Sequence, residues 1–196
     1  NPGLGMARTF ACAWDAAQRA GKEAVGGVPC NTFHAPAVFD EFLRRLGRDG
    51  IGIPVVHMLK ETLEHLGTVV GKGGRIGILS TTGTRTTGIY RSLLEPAGYR
   101  VMEVPGEKQP EIQDAIYDRV WGIKAVSPVT EKARDRVREL ARLLIRDGAQ
   151  AVVLACTELP LALPEPALDG VPLVDPVAAL ARALIREAAP EKLKKL

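Results

Sequence analysis

Ala151-Val152-Val153-Leu154-Ala155-Cys156-Thr157-Glu158-Leu159-Pro160 runs five apolar residues straight into a thiol, a hydroxyl and a carboxylate. A short apolar run that ends abruptly in polar residues reads as a buried strand. Three further runs read the same way, Ala24 to Val28, Arg75 to Leu79 and Val171 to Val174, with Ile51 to Val56 and Tyr99 to Val104 as weaker candidates. Helical patterns fill the intervals. Gly5 to Ala20 carries Met6, Phe10, Ala13 and Ala17 on one face; Pro36 to Leu46 stops at Gly47; Thr84 to Ala97 stops at Gly98. Pro128 to Asp147 is the longest, with Ser127 placed as N-cap, Pro128 at the first helical position and Gly148 just past the end. A last helix over Pro176 to Ala188 leads into a basic tail that suits its negative dipole end. Strands alternating with helices of this length predict an α/β protein with mostly parallel sheets flanked by helices.

One internal similarity suggests two related lobes. Ala24 to Thr32 and Ala151 to Glu158 both read as apolar strand, then Cys, then small polar residues. Ligands of parallel α/β sheets bind beyond the carboxyl ends of the strands, so both thiols are expected where a ligand can reach them. The predicted division is an N-terminal lobe of residues 1–71 plus the returning helix 176–196, and a second lobe of 72–175.

Composition excludes several classes of function. The 196 residues suffice for one large domain or two small lobes. With 46% hydrophobic and 25% charged residues the chain has ordinary globular proportions. Lys and Arg number 26 against 23 Asp and Glu, with the signs interleaved, so no basic stripe for a nucleic acid exists. The longest uncharged stretch, Ala24 to Phe39, is broken by Gly26, Gly27, Pro29, Asn31 and Pro36 and does not read as a membrane span. Three scattered cysteines, Cys12, Cys30 and Cys156, predict neither a disulfide scaffold nor zinc, and a reducing cytoplasm is the expected location. No signal-peptide pattern opens the chain. It starts at Asn1 and reads as helix almost at once, which predicts a start part-way through a fold.

Three segments could carry chemistry. In Val28-Pro29-Cys30-Asn31-Thr32-Phe33-His34 the proline ends the strand, Asn31 and Thr32 offer donors, and Cys30 lies near the start of the next helix, whose dipole favours a thiolate. Its plainer reading is a small buried Cys beside a turn. In the Cys156 segment, Glu158 is either a carboxylate working beside a thiol or an exposed helix-start residue favoured by the dipole. In Ser80-Thr81-Thr82-Gly83-Thr84-Arg85-Thr86-Thr87-Gly88, hydroxyls and backbone donors crowd between a strand and a helix, which suits an anion. Gly67 to Gly73 fails the P-loop spacing, and no strand-linked GxGxxG occurs. His34 follows Cys30 by four positions, a poor metal signature, while His57 and His65 read as helix-surface or loop residues.

Taken together, Pro29-Cys30-Asn31-Thr32-Phe33-His34, Thr81-Thr82-Gly83-Thr84, Ala115-Ile116-Tyr117 with Gly122-Ile123-Lys124-Ala125, and Ala155-Cys156-Thr157-Glu158-Leu159 resemble the aspartate/glutamate racemase superfamily. The Cys-Asn-Thr and Cys-Thr-Glu pair looks like its aspartate racemase branch, since glutamate racemases usually carry His where Glu158 stands. The resemblance implies two α/β lobes with the active site in the cleft between them, a homodimer, no cofactor and no metal, and an amino acid or dicarboxylate as partner. It matches Cys30 and Cys156 to the two catalytic cysteines, Asn31, Thr32 and Phe33 to the turn holding the substrate carboxylate, and Lys124 to a basic substrate-binding residue. Thr81, Thr84 and Thr157 match positions that contribute donors. Family members begin with a strand and glycine-rich turn about fifty residues before the first cysteine motif. Only 29 residues precede Cys30, so the first strand of the N-terminal lobe is expected to be absent. Phe33 stands where small residues are frequent, and Ala125-Val126 replaces the usual Ala-Gly.

Racemisation removes a proton from one face of Cα and returns one to the other, which two opposed thiols can do as base and acid. Glu158 would then orient the Cys156 thiol or bind the substrate ammonium. The rival expectations are a related dicarboxylate isomerase or decarboxylase, and a relative that binds a dicarboxylate without turning it over.

Overall fold

The apolar runs become the strands of two sheets in the computed structural model, which describes residues 1–194. The last two positions of the basic tail lie outside the described residues. Helix α1 (Pro2–Arg19) is capped by Asn1, whose side chain accepts from the amides of Gly3 and Leu4. Then come β1 (Gly26–Gly27), α2 (Pro36–Arg48), β2 (Val55–Val56) and α3 (Met58–Val69). β1 and β2 pair in parallel, Gly26 opposite Val55. The chain continues through β3 (Arg75–Ser80), α4 (Thr82–Thr86), α5 (Ile89–Leu94), β4 (Arg100–Glu103), α6 (Gln109–Tyr117), α7 (Glu131–Arg146) and β5 (Ala151–Ala155). It closes with α8 (Leu159–Ala162), β6 (Ala167–Leu168), β7 (Val171–Val174) and α9 (Pro176–Ala188). The second sheet has the order β4-β3-β5-β7-β6, parallel except for the edge pair β6–β7.

The run that opens the reading, β5, lies at the centre of this sheet with all five residues buried. Val152 and Leu154 face the core shared with α6, α7 and α8, while Ala151, Val153 and Ala155 face the core shared with α3, α5 and α9. Burial on both faces is why the run lacks any polar alternation. Each fully buried Val or Leu contributes on the order of 1.5–3 kcal/mol.

Five elements differ from expectation. Of Ala24 to Val28 only the glycine pair is strand. A Cβ on Gly26 would strike the Phe10 ring of α1, and one on Gly27 would lie 2.6 Å from Leu180 Cδ1 of α9, so two helices close on opposite faces of β1. Val28 turns into an aromatic cluster, and Pro29 has no amide with which to continue the pairing. α1 turns Gly3, Ala7 and Phe10 inward, and Ala13 is exposed. α2 runs through Gly47, the left-handed residue after it being Gly50. α7 begins at Glu131 instead of Pro128, because Thr130 supplies the cap: its Oγ1 accepts from the Ala133 amide at 3.2 Å and donates to the Trp121 carbonyl at 2.7 Å.

The helix expected over Thr84 to Ala97 is two short helices that meet at Gly88, whose φ is +64°. A left-handed residue there bends the chain so that α5 packs on the sheet, and a side chain would be strained. Gly88→Ala is expected to cost about 1 kcal/mol, read from the midpoint of urea unfolding at unchanged slope.

Candidate active site

The register of β3 on β5 pairs Ser80 with Ala155, so the next residues, Thr81 and Cys156, emerge side by side at the carboxyl end of the large sheet. The turn after β1 brings Cys30, Asn31 and Thr32 against them. Together with Thr84, Tyr117, Lys124, Ala155, Thr157 and Glu158 these residues line a cavity of about 80 Å³. A roomier cavity of about 470 Å³, lined by Trp14, Gln18 and Gly52 among others, contains neither thiol and none of the expected site residues.

The Cys30 turn is held by short-range bonds. The Cys30 amide donates to the Val28 carbonyl at 2.9 Å, and the His34 and Ala35 amides donate back to Asn31 and Thr32. His34 Nδ1 lies 2.9 Å from the Cys30 carbonyl, an acceptor, so Nδ1 carries the proton. Burial, opposed by that hydrogen bond and helped by His57, pushes the His34 pKa down to about 4, and the ring is neutral. It is an anchor for the thiol-bearing turn. His57 is not a free surface residue: it is half-buried, its ring centroid is 4.6 Å from that of His34, and its Nδ1 accepts from the Lys60 amide.

Three hydroxyls join the two sides of the cavity. Thr81 Oγ1 accepts from the Thr84 amide and donates to Thr84 Oγ1 at 3.1 Å, and Thr84 Oγ1 lies 2.7 Å from Thr32 Oγ1. Either hydroxyl of the Thr32–Thr84 pair can donate, and when Thr84 donates, the Thr32 proton is left for a ligand. Asn31 is 3% exposed, and its Nδ2 has no hydrogen-bond partner among the described residues.

On the other wall Glu158 gathers three donors. Its Oε2 accepts from Cys156 Sγ at 2.9 Å and from Thr157 Oγ1 at 2.8 Å, and its Oε1 pairs with Lys124 Nζ at 2.5 Å. Burial alone would raise the carboxyl pKa, but the bonds from Cys156, Lys124 and Thr157 outweigh it and hold it below the usual range. Lys124 is raised by the same bond. Burial and the bond to Glu158 push the Cys156 thiol up to about 12. Cys156 is therefore a buried thiol, whereas Cys30, the cysteine for which the sequence suggests a dipole-favoured thiolate, is exposed. The Lys124 backbone is fixed by its amide, which donates to the Ile116 carbonyl at the end of α6, and its ammonium stands 5.2 Å from the Tyr117 ring centroid.

Every expected site residue lines this cavity except Phe33. The Phe33 ring is buried among Phe39, Phe42 and Phe10, where it packs edge-on against Phe42 with centroids 5.4 Å apart. It holds the turn from behind, which accounts for an aromatic at that position. Tyr117 was missed by sequence reasoning; its signal is its place as the last residue of the helix that precedes Lys124. Tyr90, 2.5 Å from Asn31 Oδ1, was missed as well, and no local pattern marks it.

The thiol environments predict a difference in reactivity. Iodoacetamide at neutral pH is expected to alkylate Cys30 at least about a hundredfold faster than Cys156, because only thiolate attacks and Cys156 is both shielded and protonated. Peptide mapping by mass spectrometry measures this, and equal rates would contradict the geometry.

Comparison with known proteins gives a consistent picture. The sequence model of a family described as Asp/Glu/hydantoin racemase matches residues 11–184. A glutamate racemase of Persephonella marina is 29% identical over 136 residues, which cover 68% of this chain and 46% of that protein. The chain therefore spans about half the length of this curated relative. Among solved structures, Picrophilus torridus aspartate racemase superposes with a TM-score of 0.68 at 25% identity, over 89% of this chain and 66% of its own. An aspartate racemase homologue from Pyrococcus horikoshii superposes with a TM-score of 0.66 at 25% identity, over 95% and 75%.

Proposed function

The chain belongs to the Asp/Glu/hydantoin racemase family, and from that premise we propose that it racemises an acidic amino acid, aspartate in preference to glutamate, by proton transfer between Cys30 and Cys156. The observation that carries the proposal is that two thiols from the ends of strands in different sheets line one small cavity, together with an unpartnered amide and an ammonium. A cavity of about 80 Å³ favours the shorter of the two side chains.

One thiolate takes the proton from Cα, leaving the electron pair delocalised into the α-carboxylate, and the other thiol gives its proton to the opposite face. The net change is one proton moved, with no electrons exchanged. Cys156 begins as the acid, since its neighbours keep it protonated. In the reverse direction it has just lost its proton, and the nearby Lys124 ammonium favours the resulting thiolate. Donors from Asn31 and Thr32 hold the α-carboxylate and stabilise the charge that develops there, with Thr81 and Thr84 orienting the Thr32 hydroxyl. Glu158 orients the Cys156 thiol: its oxygens are already engaged by Cys156, Thr157 and Lys124, which supports this role over ammonium binding. Lys124 takes the side-chain carboxylate of the substrate.

The experiment is deuterium exchange at Cα. L-aspartate incubated with the protein in D₂O is expected to lose its Cα proton signal by NMR while D-aspartate accumulates on chiral chromatography. Loss of the signal without the D-enantiomer, or release of carbon dioxide to give alanine or β-alanine, would overturn racemisation. Activity is expected to survive dialysis against chelator without added pyridoxal phosphate, because both proton-transfer groups belong to the chain.

A further inference from the structure

The amide of Asn31 has two ends of opposite polarity, and a carboxylate distinguishes them absolutely: the NH₂ attracts it and the carbonyl oxygen repels it. Nothing within the Cys30 turn decides which end faces the cavity. The deciding contact comes from the other side of the cleft, where Tyr90 on α5 donates its hydroxyl to Asn31 Oδ1 at 2.5 Å. Tyr90 is 3% exposed and packed in the core that α3, α5 and α9 share with the large sheet. Its hydroxyl is absent from the cavity lining, so it does not reach a ligand itself. Burial, with Asp175 and Cys156 adding to it, raises the phenol well above its ordinary value, so the group stays protonated and acts as a donor. A phenol can also accept from an NH₂, but with the amide turned over its own buried proton would lose the acceptor it has in Oδ1, so the observed orientation is the favoured one. The other end of the amide, Nδ2, is buried and without a partner among the described residues, the condition of a donor reserved for something that enters the site.

We propose that Tyr90 is a positioning residue that locks the Asn31 amide in the one orientation that presents its NH₂ to the substrate α-carboxylate. The inference rests on the racemase reading. Without the phenol hydroxyl the amide can turn over, placing an oxygen where the carboxylate must lie. Tyr90 also couples the Cys30 turn to the large sheet through a side-chain bond spanning 59 positions of sequence.

The test is a cycle of four proteins: the parent, Tyr90→Phe, Asn31→Ala and the double variant. Tyr90→Phe keeps the ring and is expected to lower kcat/KM for aspartate about tenfold, through a higher KM and a lower kcat together, because the contact it disturbs holds the α-carboxylate and strengthens as charge develops there. Added to Asn31→Ala it should change nothing further. An equal loss in the Asn31→Ala background, or no loss with Asn31 present, would overturn the positioning role. A second readout does not depend on turnover. The Asn31 side-chain amide resonance, assigned by its disappearance in Asn31→Ala, should shift on titration with aspartate, and in Tyr90→Phe the shift should need more ligand. An amide that ignores aspartate in the parent defeats the proposal. A parent that shifts its amide but does not racemise leaves Tyr90 in place and defeats the racemase reading instead.

Discussion

Cys30→Ala and Cys156→Ala are each expected to lower kcat for aspartate racemisation by about a thousandfold or more, the larger part of what a positioned general acid or base contributes. The two variants should fail differently. Each thiol serves one face of Cα, so each variant retains a base for one enantiomer and can wash deuterium into that enantiomer while producing almost none of the other. Cys156→Ala also removes a donor from Glu158, which leaves that carboxylate bound to Lys124 and Thr157 alone. Cys156→Ser keeps a donor there and separates the loss of the acid from the loss of the contact. Chiral chromatography reads racemisation and proton NMR reads exchange. Racemisation near the parental rate in either alanine variant would remove that cysteine from the mechanism.

Lys124→Met is expected to lower kcat/KM for aspartate by roughly tenfold to a thousandfold, about 1.4 to 4 kcal/mol. The ammonium has three donors and Glu158 engages it through one oxygen at 2.5 Å, so it can serve a ligand as well. An entering side-chain carboxylate therefore shares the cation with Glu158, and an amino acid without one gains nothing from it. A neutral amino acid should be much less affected, and equal losses on both would remove Lys124 from side-chain recognition. The same variant should alter stability against acid. The depressed carboxyl of Glu158 contributes stability that is present above its unfolded pKa and lost as pH falls through the folded value. Without Lys124 one cause of that depression is gone, so the stability lost on acidification below pH about 4.5 should be smaller than in the parent, as urea titrations across that range would show. Lys124 itself is raised, and its contribution holds below its unfolded pKa and fades as pH climbs through the folded one.

β3 and β5 were legible because burial on two faces leaves no other residue choice, and they and the less buried β7 fall within one residue of their expected limits. β1 was overread: its apolar letters include two glycines whose purpose is to let Phe10 and Leu180 approach, something only the packed helices reveal. The candidate site residues were legible where they follow a strand directly, as Cys156 and Thr81 do, or close behind one, as Cys30 does. The family resemblance matches Phe33 to the turn that holds the carboxylate, yet a turn sends neighbouring side chains in opposite directions and the ring packs behind it. Tyr90 stayed hidden because its partner is Asn31, and no periodicity connects residues across a cleft. The protonation of Cys156 was equally out of reach, since it depends on a carboxylate folding back two residues to accept the thiol proton.

The two walls of the site are built to different standards of rigidity. Cys156 extends a strand bonded on both sides in the middle of five, whereas Cys30 extends a strand of two residues paired on one edge. Amides are released to solvent by whatever opening costs least, so those of Val152 and Leu154 should exchange only when the whole chain unfolds, and those around Cys30 through breathing confined to the turn. In the proposed reaction, substrate enters by loosening the Cys30 wall while the other, with Cys156 protonated, keeps its place.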